Sequence, residues 1–263
     1  MSGAALANLG LAIRMPGLPI ALVRDRLALR AAQVCVGFAG RREVEADLRD
    51  AVHLSRPGDQ PGPAGVVFLG WRRATAQKLS IRTLQRALPE VPESQLQGWF
   101  DISPNANPVA LAAKVLQDVL TVFPRAEATA LIMADAVLAR VLGWDYVLPV
   151  LGPGLKPADL RKTDADLCQA CYRAIVTQAT DAVRLAQDLT RRAEKLRQVE
   201  PVLRAKGAGA AVARFLATDA LSPSVSLVDL MSDRAARRLC DRLVALGAVK
   251  ELTGRSAFRL YGL

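Results

Sequence analysis

The chain contains one histidine, His53, so any chemistry that needs an imidazole depends on that residue. Serine and cysteine nucleophiles are commonly activated by a neighbouring histidine, and zinc sites often use one as a ligand. His53 falls at the predicted end of a helix beside a loop, a position typical of a capping or surface residue. We therefore expect no catalytic role for it.

Cys168 and Cys171 form a CxxC pair, a spacing found in redox-active dithiols and in half of many zinc sites. A zinc site needs two further ligands, and among cysteines and histidines only Cys35, Cys240 and His53 remain. No strand–helix–strand pattern surrounds the pair, as a thioredoxin-like protein would require. Both cysteines lie on or beside the apolar stripe of a long helix. This favours packed core thiols, and the sequence predicts no metal site and no cofactor.

Three charged residues, Glu127, Asp135 and Arg140, interrupt the most apolar stretch of the chain, which runs from Ala126 to Val141. Glu127 and Asp135 lie two helical turns apart and so share a face approximately. A carboxylate pair of this kind could perform acid–base catalysis in a pocket, which leaves an enzyme in the helical region as one alternative. The competing interpretation is that Asp135 pairs with an arginine from another helix.

The composition favours a helical protein with a substantial core. Hydrophobic residues make up 51% of the chain, mostly Ala, Leu and Val, and aromatic residues only 5%. The formal net charge of +10 suits an acidic partner such as nucleic acid, although an arginine-rich surface without such a partner explains it equally well. No apolar run reaches the roughly 18 residues of a membrane helix. The N-terminal stretch is a poor secretory signal and the four cysteines form no disulfide framework, so we expect a cytoplasmic protein that does not bind membranes.

Apolar residues recur at helical spacing over most of the chain. The pattern predicts helices over 24–38, 42–53, 64–74, 80–88, 95–100, 108–123 and 125–142. Gly40 and Gly143 are expected to end two of them. Two Pro- and Gly-rich segments interrupt the helices, one over 56–63 and a second over 144–157. The glycines of the second segment, Gly152 and Gly154, lack the Lys-Ser/Thr of a phosphate-binding P-loop, so we expect no nucleotide site there.

The longest predicted helix covers about 163–199, with Thr163 and Asp166 resembling a capping box at its start. Small and apolar residues follow at alternating spacings of 4 and 3, the pattern of a heptad seam. The seam consists of Cys168, Tyr172, Ile175, Ala179, Ala182, Ala186, Leu189, Ala193 and Leu196. Two explanations remain open, a contact inside a helical bundle and a homodimeric coiled coil.

The pattern changes at Gly207. A helix is expected to begin at Ser232 or Asp233 and to end at Gly247, a natural left-handed residue after a helix. Two short alternating segments, 248–252 and 257–260, flank a Gly-containing turn and predict a β-hairpin. A helix that leads directly into a hairpin is typical of a winged helix, a form of the helix-turn-helix. We therefore predict a mainly α protein, with a helical bundle domain at 1–206 and a small winged-helix module at 207–263.

Arginines mark the exposed face of the last predicted helix. Arg234, Arg237 and Arg238 lie near its N-terminus, and Arg255 lies in the predicted wing turn. Such a helix can enter the major groove with its first residues toward the base edges, while Arg255 would approach phosphate or the minor groove. DNA binding as a regulatory or accessory factor is thus the leading hypothesis. A winged helix that contacts protein, or only supports the fold, is the alternative.

Several segments resemble one alphaproteobacterial family, domain of unknown function family 1403. They include LRAAQVCVGFAGRREVEADLRDAV, RPGDQPGPAG, MADAVLARVLGW, VLRAKGAGAAVARFL and MSDRAARRLCDRLVALGAVKELTGRSAFRLYGL. The resemblance runs from about Leu27 to the C-terminus and implies a bacterial protein of the architecture above. A similar C-terminal block occurs in some helical relatives of Fic-type proteins, but this chain has no HPF-type loop for nucleotide transfer. The resemblance implies no catalytic residues.

Overall fold

The computed structural model describes residues 1–56, 58–101 and 107–263, and within them the chain is mainly helical. The α-helices are α1 (Ser2–Ala12), α2 (Ile20–Phe38), α3 (Glu45–His53), α4 (Gly62–Ala76), α5 (Ile81–Ala87), α6 (Glu93–Phe100), α7 (Pro108–Val122), α8 (Glu127–Val141), α9 (Asp164–Val199), α10 (Ala208–Phe215), α11 (Pro223–Ser226) and α12 (Asp233–Ala245). Two strands, β1 (Lys250–Glu251) and β2 (Tyr261–Gly262), form an antiparallel pair. The predicted mainly α class is confirmed, and the helix bounds differ from the predicted ones by a few residues.

Helix α8 lies at the centre of the core. Every residue from Thr129 to Ala139 is buried, so this helix is covered on all sides, as expected for an all-round apolar sequence. It packs against α2, α4, α6 and α7. Helix α2 is similarly buried and pairs closely with α4, which in turn contacts α3 and α5. The bundle is therefore built around α2 and α8, most of whose residues are buried.

The predicted seam of the long helix is buried within the chain. Its residues from Ile175 to Leu196 are all buried, while Cys168 and Tyr172 at its start are half-buried. Helix α9 packs against α1, α2 and α7. The partner α1 was missing from the sequence prediction, because its residues are small and lack a clear amphipathic stripe. The seam thus forms an intramolecular contact, and its apolar surface is not presented to a second copy.

Local residues end or begin several helices as predicted, and one predicted cap is wrong. Asn107 Oδ1 accepts hydrogen bonds from the Val109 and Ala110 amides at the start of α7, 3.0 and 3.2 Å away. Gly40 and Gly143, with φ of 75° and 65°, end α2 and α8. The predicted capping box at Thr163 is wrong, since no side-chain cap forms there. The Asp164 amide donates instead to Gln117 Oε1 of α7, at 2.7 Å.

In the C-terminal segment the helix lies where it was predicted, but the second strand begins later in the sequence than predicted. The helix from Asp233 to Ala245 and its left-handed Gly247, with φ of 63°, are confirmed. The first strand lies inside the predicted 248–252, whereas the second begins at Tyr261, just beyond the predicted 257–260. The intervening residues form turns and bends. Tyr261 also pairs with Leu221 as an isolated antiparallel bridge, so the backbone at Leu221 flanks β2 on the side opposite β1.

No helix of the described ranges combines the length and the apolar character needed to cross a membrane.

Gly154 provides a test of the packing of α9. A methyl group at this position would lie 2.6 Å from Ala174 Cα and 2.9 Å from Ala174 O, both backbone atoms of α9. We expect Gly154→Ala to reduce the free energy of unfolding by about 1–3 kcal/mol, as overpacking does. Urea denaturation measures the change. Gly37→Ala is the control, because Gly37 lies inside α2 with nothing within 4 Å of its would-be methyl, and this change should be neutral or stabilising. A loss in the control as large as that at Gly154 would contradict this account.

Candidate functional site: a buried charge cluster and an arginine-lined helix

Charged residues in the second turn of α2, Arg24, Asp25 and Arg26, lie in or at the edge of the protein interior. Asp219, which precedes the Leu221 bridge, has no solvent exposure. Its carboxylate forms ion pairs with Arg26 of α2 and with Arg49 of α3, the latter at 2.6 Å. Burial opposes its ionisation, but the two arginines outweigh burial and hold the pKa of Asp219 below its usual value. Asp219 is therefore a buried carboxylate that joins two helices of the bundle to the C-terminal segment.

Asp25 extends this cluster. Its Oδ1 accepts a hydrogen bond from Arg72 Nε of α4 at 2.7 Å, and its Oδ2 accepts one from the Asp219 amide at 2.9 Å. Arg26 also donates to the backbone oxygen of Leu263, at 3.1 Å. The cluster therefore connects α2, α3, α4 and both ends of the C-terminal segment through charge-assisted hydrogen bonds, which are stronger than neutral ones.

His53 lies beside this cluster and is buried, so its predicted capping or surface role is wrong. It is the last residue of α3 and is 6% exposed, with its ring edge on to Phe68. Its Nε2 has no hydrogen-bond partner among the described residues. Burial, reinforced by the charge of Arg72, lowers the pKa of His53 to about 4. The imidazole is thus neutral at physiological pH.

The predicted carboxylate pair does not form a site with Arg140. Asp135 is fully buried, and its Oδ1 accepts hydrogen bonds from the Val150 and Leu151 amides at 3.3 and 3.2 Å. Burial raises the pKa of Asp135 well above its usual value, while the two amides partly oppose that shift. Within the described ranges Asp135 has no arginine partner, contrary to the prediction. Arg140 lies at the surface, where it pairs with Asp101 at 3.2 Å. Asp135 therefore holds the linker after α8 against that helix.

The cysteines behave as core thiols. Cys171 is buried and Cys168 half-buried, and burial raises the pKa of Cys171 to about 12. A thiol with such a pKa is protonated at neutral pH and is a poor nucleophile and metal ligand. The described residues contain no group of three or more His, Cys, Asp or Glu side chains arranged to hold a metal ion.

Helix α12 presents arginines to solvent beside a broad groove. Arg234, Arg238 and Arg242 line the groove together with Arg204, which follows α9. The groove has a volume of about 780 Å³. All four side chains belong to exposed residues, and none forms an ion pair within the described part of the chain. Arg234 and Arg238 belong to the set predicted from the sequence, whereas Arg204 and Arg242 do not. Arg204 could not be expected there from local spacing, because 28 residues separate it from the start of α12.

The other two predicted arginines are engaged by carboxylates. Arg237 forms an exposed pair with Asp233 at 2.8 Å and lines a second groove of about 390 Å³ with Arg56. Arg255 makes a two-point contact with Asp50 of α3, at 2.7 and 2.8 Å. The turn that carries Arg255 is therefore held against the bundle. Sequence spacing could not anticipate this pair, since the two residues are 205 positions apart.

Removing the Asp219 carboxylate tests the cluster. In Asp219→Ala the Arg26 and Arg49 guanidiniums would lose the buried carboxylate they share, and among the described residues only Arg49 would keep a carboxylate partner, the half-buried Glu45 at 3.2 Å. Breaking a buried ion pair in this way typically costs about 3–5 kcal/mol. We expect a loss of unfolding free energy of that order in urea denaturation. Asp181→Ala is the matched control, because Asp181 pairs with Arg184 at the surface and such pairs contribute about 1 kcal/mol or less. Equal losses in the two variants would show that Asp219 does not organise the fold.

His53 gives a direct NMR test of burial, because it is the one histidine of the sequence and its ring-proton signals need no resonance assignment. The pKa of His53 is near 6.5 in the unfolded chain and about 4 in the folded protein. In the folded protein its imidazole therefore stays almost entirely unprotonated as pH falls from 8 to 5.5. We expect the ring-proton chemical shifts to stay constant over that range in NMR. Linkage then predicts stability that is full above pH 6.5 and declines as pH falls toward 4, because the unfolded chain binds the proton first. A titration midpoint near 6.5 in the folded protein would contradict the buried placement.

The comparisons with known proteins give a family and no function. No curated protein matches the chain. The model of one family, described as "Protein of unknown function (DUF1403)", matches residues 1–263, the entire length. The resemblance read from the sequence is thereby confirmed at the level of the family. The chain belongs to the DUF1403 family.

Proposed function

We propose that the protein binds DNA through α12 and the groove beside it, as a regulatory or accessory factor. The observation that carries this proposal is that Arg204, Arg234, Arg238 and Arg242 surround one groove and form no ion pair with any residue that the structure describes. The three arginines on α12 follow each other at four-residue spacing and so lie on one helix face. A face of this kind attracts phosphate and can present guanidiniums to guanine edges.

The chain order of the C-terminal segment supports a winged-helix module over 207–263. Helix α10 is followed by the backbone at Leu221, then α11, α12, β1 and β2. Leu221 pairs with Tyr261, and the neighbouring strand β1 pairs with Tyr261 from the other side. A winged helix has this order: one short extended segment follows its first helix, and two strands that form the wing follow its last helix. In that scheme α12 is the helix that enters the major groove.

The contacts modify the role proposed for individual residues. Arg234 and Arg238 are free to contact a partner, whereas Arg237 must share its charge with Asp233. Arg255 is bound to Asp50, so in this proposal it positions the turn against α3 and contributes less to DNA. The face of α12 that carries the arginines is exposed and mainly charged, which favours DNA over the alternative of a protein-interaction module. No homodimer is required, because the seam of α9 is covered by the chain itself.

Salt-dependent binding to DNA tests the proposal. Fluorescence anisotropy with labelled duplexes should show wild-type affinity that falls steeply with salt, because each phosphate contact releases counterions. The triple variant Arg234→Ala/Arg238→Ala/Arg242→Ala should bind much more weakly, and the slope of log affinity against log salt should shrink by up to about 3. If Arg238 reads a base, Arg238→Ala alone should cost about 1–3 kcal/mol and relax sequence preference.

A charge-matched control separates a specific face from overall charge. Arg82, Arg86 and Arg161 are exposed and lie outside both α12 and its groove. Their triple alanine variant carries the same net charge as the α12 variant and should bind almost as well as wild type. If DNA binding weakened equally in both triple variants, the loss would be explained by net charge, and a specific role of α12 would be contradicted. Absence of binding by wild type would contradict DNA binding altogether and leave the protein-contact alternative.

A further inference from the structure

Arg24 is a buried cation that forms no ion pair with a carboxylate in the part of the chain that the structure describes. It is 7% exposed, and its Nε and Nη1 atoms have no hydrogen-bond partner among the described residues. Its guanidinium stacks on the ring of Tyr146, 3.6 Å from the ring centre. Burial lowers the pKa of Arg24, and the nearby Tyr146 and Asp25 only partly oppose that effect. Buried charges are normally paired, because removing an ion from water is costly.

The neighbouring carboxylates are already engaged by other cations. Asp25 uses one oxygen for Arg72 and the other for the Asp219 amide. Asp219 is shared by Arg26 and Arg49. The arginines of this region therefore outnumber its buried carboxylates, and Arg24 carries the surplus charge.

A cavity of about 290 Å³ opens beside Arg24. Polar groups from Arg72, Arg73 and the buried Thr75 line it along with Asp25, and Ala217 of the C-terminal segment closes one side. The size is at the lower end of small-molecule sites. The wall thus carries three arginines, Arg24, Arg72 and Arg73, around a space large enough for a small molecule.

We propose that this cavity binds a small anion, a phosphate or carboxylate group, against Arg24. Planar guanidiniums bind such oxyanions by parallel hydrogen bonds, and two nitrogens of Arg24, Nε and Nη1, have no hydrogen-bond partner among the described residues. Arg72 keeps its Nη atoms for the ligand, since only its Nε donates to Asp25. The bound anion would contact both the helical bundle and the segment that leads into Asp219. This inference is independent of DNA binding.

Calorimetry and thermal unfolding test it directly. Wild-type protein is titrated with inorganic phosphate and, separately, with succinate, at constant ionic strength set by chloride. At least one probe should bind saturably at one site per chain and raise the Tm, and the pattern tells phosphate from carboxylate. Arg24→Met should lose at least tenfold in affinity for that probe. Its Tm without anion should equal or exceed that of wild type, because an unpaired buried charge has been replaced by an apolar chain of similar length.

Two further variants complete the experiment. Arg86→Met removes an exposed arginine that does not line the cavity and should bind the probe as wild type does. Ala217→Met should weaken binding by filling the cavity without changing any charge, and it serves as the test if Arg24→Met does not fold. The proposal is overturned if neither probe binds wild type. It is equally overturned if the affinity survives in Arg24→Met, or, where that variant does not fold, in Ala217→Met.

Discussion

Asp219 is a carboxylate that lies entirely out of water, and this is tolerable only while Arg26 and Arg49 face it. The requirement fixes several elements together, because Arg26 belongs to α2, Arg49 to α3 and Asp219 to the C-terminal segment. Asp25 connects α4 to the same cluster, because it accepts hydrogen bonds from Arg72 and from the Asp219 amide. Displacement of any one of these elements would leave a buried charge unpaired. The docking of the last 57 residues therefore depends on electrostatics as much as on apolar contact.

The same requirement explains the start of α2, where Arg24, Asp25 and Arg26 follow in sequence. Successive residues on a helix point about 100° apart, so three adjacent charges cannot all reach one partner. Asp25 and Arg26 form hydrogen bonds or ion pairs with the C-terminal segment, while the guanidinium of Arg24 stacks on Tyr146. Three charges in the second turn of an apolar helix would ordinarily be taken for a solvated surface. Here Asp25 and Arg26 make the polar contacts that join α2 to the C-terminal segment, and Arg24 is buried beside them.

Local patterns predicted what local forces determine. The helices over 108–122 and 233–245 follow from apolar spacing, from Pro108 after Asn107, and from Gly247. The ion pairs that build the candidate site were not predictable, since Asp25 and Asp219 are 194 positions apart and neither spacing nor composition encodes such a contact. The position of β2 was also not predicted. Tyr261 pairs with Leu221 as well as with β1, and the contact with Leu221 comes from a segment outside the predicted hairpin. Asp135 was misjudged because a carboxylate inside an apolar helix suggests an arginine, while backbone amides satisfy it here.

Arginines without carboxylates occur in two settings, and burial determines how much each one implies. On α12 the exposed Arg234, Arg238 and Arg242 lose little hydration, so water and salt can screen them at small cost. Their like charges at four-residue spacing weaken the helix only slightly, and an anionic partner is favoured without being required. Arg24 is different, because its Nε and Nη1 atoms are covered by protein and no carboxylate of the described ranges pairs with it. A buried cation lowers stability until something neutralises it, so the interior position is the stronger indication of a ligand even though a single residue carries it.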